Sequence, residues 1–429
     1  MKSKRPVVFT RSFGVCIVTA LLFTGSACAQ ELLTWEQLKA KFEAVNPTLK
    51  ADQLNVEEMK AEEITAFLRP NPQFIFATDG TQVAPHNGVW QPLAGTQYQS
   101  NLSYLHERDH KRELRLESAR EGTQISASQH EDLERTLVLN LRSMFVQTLQ
   151  AKAVLELAKA DLQYYDKIIE ISRTRLTAGD LAQIDQDRIE LLRVQYESEI
   201  ETAIVNLRTS KLQLLQLLND RTPVDKFDVS GIFDWSDDLQ PLDEYHRIAL
   251  ENRPDLRAAM ETIQQAGTNH KLAVANGSTD PTIAGWYTYN PSFNNPNDLQ
   301  TLGLSVSIPL RIFDRNQGEK KRTLLDIDRS RQSAEASQAQ VFDDVDSTYE
   351  QLRSGIELLK PYKQKYRDQA TRVRDTVTFS YQHGGASLMD FLNAQSDYRV
   401  VQLAYLQLVG SYLTLAGQMN SAVGHDLIR

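Results

Sequence analysis

One stretch of the chain has a pattern with chemistry of its own. His106-Glu107-Arg108-Asp109-His110 fits H-E-x-x-H, in which two imidazoles one helical turn apart hold zinc and the glutamate serves as general base. That chemistry needs the motif inside a helix, a third ligand and a substrate cleft. Here the five residues fall where an extended segment gives way to a long helical pattern. The corresponding later stretch, Phe313-Asp314-Arg315-Asn316, lacks the motif. Zinc hydrolysis is therefore not expected; surface metal contact by His106 and His110 is a nearer reading than hydrolysis, but still a minor one. The other histidines are scattered; His383 sits in a turn, where a solvated loop histidine is the default. Neither a glycine-rich phosphate loop nor a Ser/His/Asp arrangement stands out. No catalytic residue and no cofactor is expected. Two further carboxylates, Asp185 and Asp390, each follow a glycine turn by a few residues, where a carboxylate in the first turn of a helix favours the dipole.

These groups sit on an exported, acidic chain of 429 residues, 41% hydrophobic and 24% charged. Lys2, Lys4, Arg5 and Arg11 precede an apolar run over 13–23, and Ala27-Cys28-Ala29 is a small-residue cleavage site, so 1–29 reads as a signal peptide. Cys28 permits a second reading, lipidation at that cysteine, although Gly25 stands where lipoprotein signals usually carry Leu. Both cysteines, Cys16 and Cys28, lie in this segment, so the mature chain has no thiolate or disulfide chemistry if cleavage follows Ala29. Removing four basic residues and no acid takes the formal charge from -9 to -13, which makes the chain a poor candidate for nucleic-acid binding, and no nucleic-acid partner is expected. No mature segment is expected to reach the ~18–20 apolar residues of a membrane-spanning helix.

The chain repeats itself. Pro47-x-Leu49-x-Ala51 recurs as Pro254-x-Leu256-x-Ala258, and the turn Gly179 to Asp185 aligns with Gly384 to Asp390, at offsets of 207 and 205. A period this long marks a duplicated unit rather than a short-repeat solenoid. The reading divides the chain into a first repeat over 30–220, a loop-like linker over 221–242 and a second repeat over 243–429. Each repeat should hold a helix, a strand pair, a very long helix, a glycine turn and a return helix. Thr34 with Gln37 makes a capping box for a helix over 34–68.

Lys111 to Ala178 contains no proline and as one helix would reach about 100 Å. Its apolar seam (Leu137, Leu141, Met144, Thr148, Ala151, Leu155, Ala158, Leu162, Tyr165, Ile169) alternates steps of four and three, the period of supercoiled helix packing. The last helix repeats the pattern, with Phe391, Tyr398, Tyr405 and Tyr412 in its seam and a partial second seam on another face. Residues 317–382 should match the first long helix but hold Gly355 and Pro361, where a bend is expected. The two shorter helices of the first repeat sum to roughly the length of the long one and could run beside it end to end.

The extended segments alternate. Leu302, Leu304, Val306 and Ile308 face one way and Gly303, Ser305, Ser307 and Pro309 the other, and the stretch matches the ~9–11 residues of a tilted transmembrane strand. Thr282–Tyr289, with aromatics suited to a membrane interface, is its partner across a polar loop over 290–298, and Gln73–Asp79 and Gln97–Leu105 play the same parts earlier. A pair of hairpins cannot close a barrel, and lipid does not tolerate open edges. If these strands span, several chains must share one barrel. The alternative is an exported structural bundle with a soluble hairpin cap and no pore.

With this layout the sequence resembles the TolC-type outer-membrane efflux family over essentially the whole mature chain. Ile308-Pro309-Leu310-Arg311-Ile312-Phe313-Asp314-Arg315-Asn316-Gln317-Gly318-Glu319 resembles the family's strand-to-helix junction. Lys111-Arg112 resembles that junction in the cobalt–zinc–cadmium branch. The helix turns match Arg175-Leu176-Thr177-Ala178-Gly179 and Tyr381-Gln382-His383-Gly384-Gly385, and Leu388-x-Asp390-x-Leu392-x-Ala394-Gln395 is a further match. The resemblance implies a mainly α fold in which duplicated helical hairpins form an α-helical barrel, with four strands per chain contributing to a shared transmembrane β-barrel. It implies a homotrimer in outer-membrane lipid with a periplasmic extension. It further implies docking onto a periplasmic adapter and an inner-membrane pump, and a passive conduit rather than an enzyme. Arg175, Leu176, Gly179, Tyr381, Gly384 and Gly385 are the implied docking tips. Asp390 matches an inward acidic position near the tunnel's narrow end, and Asp185 is its repeat counterpart. The family's next acidic position is Asn393 here, which puts a doubled acidic ring in doubt. A ring of aspartates would favour cations. The cargo, whether metal, drug or other, stays open.

Overall fold

Thr34 opens the first helix through the capping box: the Gln37 backbone N–H donates to its hydroxyl at 3.4 Å, and the Gln37 side chain accepts from the Thr34 N–H at 3.0 Å. The computed structural model describes residues 31–291 and 299–428. The signal segment with Cys28 and most of the 290–298 loop lie outside the described residues. The first half runs β1 (Glu31–Leu33), α1 (Trp35–Val45), α2 (Pro47–Phe67), β2 (Gln73–Asp79), β3 (Gln97–Leu105), α3 (Lys111–Ala178) and α4 (Gln183–Leu217). The second runs β4 (Phe227–Val229), α5 (Leu242–Asn252), α6 (Pro254–Ala275), β5 (Thr282–Tyr289), β6 (Gln300–Ser307), α7 (Gln317–Pro361), α8 (Arg367–Gln382) and α9 (Leu388–Val423). The order helix pair, strand pair, long helix and return helix thus occurs twice.

The expected single helix over 34–68 is two helices. Pro47 has no N–H to continue α1, and Asn46 turns extended and accepts from the backbone of Thr48 and Leu49 at 2.9 and 3.1 Å. Its twin breaks at the same place, between Arg253 and Pro254. The repeated proline therefore marks the first turn of a new helix, where proline is preorganised. α3 has the predicted bounds, and Leu141, Thr148, Leu155, Tyr165 and Ile169 of its seam are buried. In the matching helix the regular hydrogen bonding is interrupted by one π-helical turn, Tyr362–Tyr366, directly after Pro361. Gly355 leaves α7 continuous.

The shorter helices of the first half share α3 lengthwise. α2 lies on its upper part, through Ser126 with Asn55 (3.1 Å) and His130 with Asp52 (2.9 Å). α4 lies on its lower part, through Arg193 with Asp166 (2.7 Å) and the Tyr165 hydroxyl with the Ile189 carbonyl (3.0 Å). They meet where Asn46 reaches the Leu217 carbonyl at 3.5 Å. The expected end-to-end stacking along a shaft of about 100 Å is what the packing delivers. The linker is more ordered than expected. β4 pairs in parallel with β1, and Asp228 draws in Lys152 at 2.9 Å and Lys211 at 3.0 Å, fastening a belt around α3 and α4.

α9 corrects one expectation. Among the described residues it is one helix long and apolar enough to cross a membrane by length and composition. That apolarity is used in packing: Phe391, Tyr405, Val409, Tyr412 and Met419 are buried in the chain, and α9 contacts α3, α5, α7 and α8.

β2, β3, β5 and β6 form one antiparallel sheet in that order, so the two hairpins join through β3 and β5 while β2 and β6 stand at its edges. Its apolar side chains face outward, with Phe74, Phe76, Leu302, Leu304 and Val306 all exposed. Trp286 lies opposite Gly303, and a Cβ added at Gly303 would sit 2.2 Å from the indole. The glycine makes room for the ring.

Candidate functional site

The far ends of the long helices turn on glycine. Gly179 has φ +84° and donates back to Arg175 and Leu176, and Gly384 has φ +79° and donates to the Tyr381 carbonyl at 3.2 Å. A side chain is rarely accommodated there. The two tips are joined. Arg175 Nη1 donates to the Tyr381 carbonyl at 2.5 Å, Nη2 to the Asp180 carbonyl at 3.3 Å, and the guanidinium lies 5.2 Å from the Tyr381 ring centre. The Tyr381 ring itself is buried, stacked 5.2 Å from Phe391 within a cluster that includes Tyr165, Ile168 and Ile189. What Tyr381 adds to the tip surface is backbone. Leu176 is half-buried, and Gly179, Gly384 and Gly385 are exposed. His383 caps its own helix end, its Nδ1 2.8 Å from the Phe379 carbonyl.

Asp390 sits in the first turn of α9 and is exposed. It accepts from the Ser387 hydroxyl at 2.7 Å and the Ser387 N–H at 3.1 Å, and these bonds hold its carboxyl below the usual range. It is ionised at neutral pH. Asn393, three residues on, is exposed on the same face. Asp185 is half-buried on the first turn of α4 and 3.8 Å from Arg188. Within one chain Asp390 therefore completes a helix start and Asp185 lies in the first turn of one, and neither site draws in a cluster of further ligands. Among the described residues no group of three or more His, Cys, Asp or Glu side chains is placed to hold a metal.

Residues 246–425 match the family profile described as outer membrane efflux protein. The second half of the chain is similar in sequence to the outer-membrane efflux family. The cobalt–zinc–cadmium resistance protein CzcC of Cupriavidus metallidurans is 21% identical over 324 residues, 73% of this chain and 74% of its own length. The CusC channel has the same fold, with a TM-score of 0.74 and 16% identity over 91% of this chain and 92% of CusC. The outer membrane protein VceC of Vibrio cholerae follows at 0.73 and 15% over 91% and 96%.

In this fold the H-E-x-x-H stretch is a junction. Asp109 and His110 are both left-handed, at φ +55° and +56°, so the motif straddles the turn into α3 rather than one helical face. Glu107 is held by Arg115, at 2.5 and 2.9 Å. Lys111 is buried with its ammonium 2.6 Å from Asp280, and the Arg108 N–H donates to the same carboxylate at 2.9 Å. The start of α3 is thus locked to the start of β5. The second junction repeats the device, with Asn316 at φ +61° ahead of α7 and its side chain donating to the Ala273 carbonyl at 2.7 Å. Sequence reading missed one group in the lower shaft: Asp161, a carboxylate buried between helices.

Proposed function

We propose that the chain is one of three copies of a passive outer-membrane duct, whose hairpins extend into the periplasm and dock at their tips onto an adapter and an inner-membrane pump. The observation that carries this reading is the sheet. It has two unpaired edges and apolar side chains facing outward, on helices of an efflux fold. Open edges are not tolerated in lipid, so β2 of one copy pairs with β6 of the next until the barrel closes. The repeats 30–220 and 243–429, joined by 221–242, then supply matching staves of one wall around a water-filled passage.

At the tips, Gly179, Gly384, Gly385 and Leu176 present the docking surface, and Arg175 and Tyr381 shape it from beneath. Asp390, with Asn393 beside it and Asp185 as its counterpart, lines the narrow end, where a ring of carboxylates favours cations. Opening requires the tips to splay. The likeness to a cobalt–zinc–cadmium resistance protein favours metal cations as cargo. Planar-bilayer conductance of the purified oligomer tests the reading, with and without Asp390→Ala. The duct predicts stepwise conductance and a weaker cation preference in the variant. An oligomer that never conducts refutes the duct, and an unchanged cation preference refutes the gate assignment.

A further inference from the structure

Between the belt and the tips, α3, α4, α8 and α9 pack around an aromatic core that encloses one carboxylate, Asp161, only 3% exposed. α3 descends to the tips and α9 returns from them, with the Tyr165 and Phe391 rings 6.4 Å apart. One helical turn further from the tip lies Asp161 on α3 and Gln395 on α9, so the two share a layer. Gln395 is also buried, and neither its amide nitrogen nor its amide oxygen has a hydrogen-bond partner within the described chain. The cations facing this layer are engaged elsewhere. Arg399 of α9 donates to Glu199 of α4 at 2.5 Å. Arg374 of α8 pairs with Asp375 at 2.8 Å and lies over the Tyr164 and Tyr398 rings. Tyr196 of α4 closes the layer against Tyr165 at 4.6 Å.

We propose that the Asp161 layer is a proton-operated joint of the helical shaft: a neutral carboxyl holds the four helices together, and ionisation releases them. The regulatory meaning rests on the duct reading, since the joint lies above the tips that must splay. Burial is the main cause that pushes the Asp161 carboxyl up to about 6, with Glu199 adding to it and Arg399 and Arg374 opposing. In a splayed shaft, water reaches the carboxyl and its pKa returns toward the ordinary value of 3.8. A group whose pKa is raised in the closed form favours that form below its ordinary value. The advantage is lost as pH rises through the raised one. Going from pH 5 to pH 7.5 therefore moves the closed-to-open balance roughly tenfold toward open.

Spin labels on Thr177→Cys and Met389→Cys, one on each tip of the same chain, read the joint in the full-length protein diluted with unlabelled copies. The proposal predicts a longer label distance at pH 7.5 than at pH 5, with a midpoint between 3.8 and about 6. Asp161→Asn should hold the short distance at both. Arg399→Gln, which removes an opposing charge, should move the midpoint up. A distance that ignores pH in the unsubstituted shaft overturns the joint, as does an unaltered pH response in Asp161→Asn. If Asp161→Asn does not fold, an unmoved midpoint in Arg399→Gln does the same. Conductance with a pH-independent distance sinks the joint alone, whereas a pH-dependent distance without conductance at any pH sinks the duct alone.

Discussion

The Arg175 guanidinium donates to the Tyr381 carbonyl at 2.5 Å and so ties the tip of the α3–α4 hairpin to the tip of the α8–α9 hairpin. The cluster of Tyr165, Ile168 and Ile189 with Tyr381 and Phe391 joins the same two hairpins from within, and this bond adds a polar tie that resists their separation.

Removing it should loosen the narrow end. A hydrogen bond from a charged donor is worth about 1.5–3 kcal/mol, so Arg175→Ala is expected to raise the open fraction tenfold or more. Single-channel recordings read this directly. An unchanged open fraction would show that the bond does not restrain opening.

The turn glycines make a second prediction. A Cβ at Gly179, with φ +84°, should cost about 1–2 kcal/mol, since nothing lies within 4 Å to clash and the penalty is conformational. Gly179→Val should lower the thermal midpoint slightly and weaken adapter capture more than stability, which pull-down and calorimetry compare side by side.

Gly303→Ala tests the sheet. The added methyl would meet the Trp286 ring, forcing the indole aside or the strands apart. Assembled oligomer in the outer-membrane fraction should fall sharply, while the helical circular-dichroism signal of the shaft is kept. Normal assembly would place Trp286 elsewhere.

Acid should release α1 from the end of α4 at a defined point. The Lys41 ammonium, 2.6 Å away, and the Thr222 hydroxyl hold the Asp220 carboxyl down to about 2. A depressed carboxylate contributes stability above its ordinary value of 3.8, and that contribution is lost as pH falls through about 2. Fluorescence of Trp35 on α1 should change over that window, and Asp220→Asn should flatten the change.

Much of this architecture could be read from residue order because backbone rules fix it. An uninterrupted run from Lys111 followed by Gly179 left α3 little freedom, and alternation at Leu302, Leu304 and Val306 marked a strand with one apolar face. The miss at Asn46-Pro47 came from treating proline as a repeat marker instead of a first-turn residue. Phe227–Val229 became a strand only because Glu31–Leu33 lies alongside, a pairing no local pattern reveals. The site was less legible for the same reason. Tyr381 looked like a tip residue in sequence, but Phe391 takes its ring inside. Asp161 sits beside Leu162 of the predicted seam, and its burial depends on α4, α8 and α9 arriving from distant parts of the chain. Asp390 serves as a helix cap by local rules, and the passage proposed for it would be formed only with neighbouring copies.

Pairing between the sheet edges of separate copies is the most direct test. The sequence has cysteine only at positions 16 and 28, so introduced thiols report cleanly. Double variants combining Phe74→Cys, Ile75→Cys or Phe76→Cys on β2 with Leu302→Cys, Leu304→Cys or Val306→Cys on β6 should give disulfide-linked dimers and trimers in membranes when the two positions face. Single variants should not give trimers. A chain that stays monomeric in detergent-free buffer, with every double variant uncrosslinked, would contradict the account.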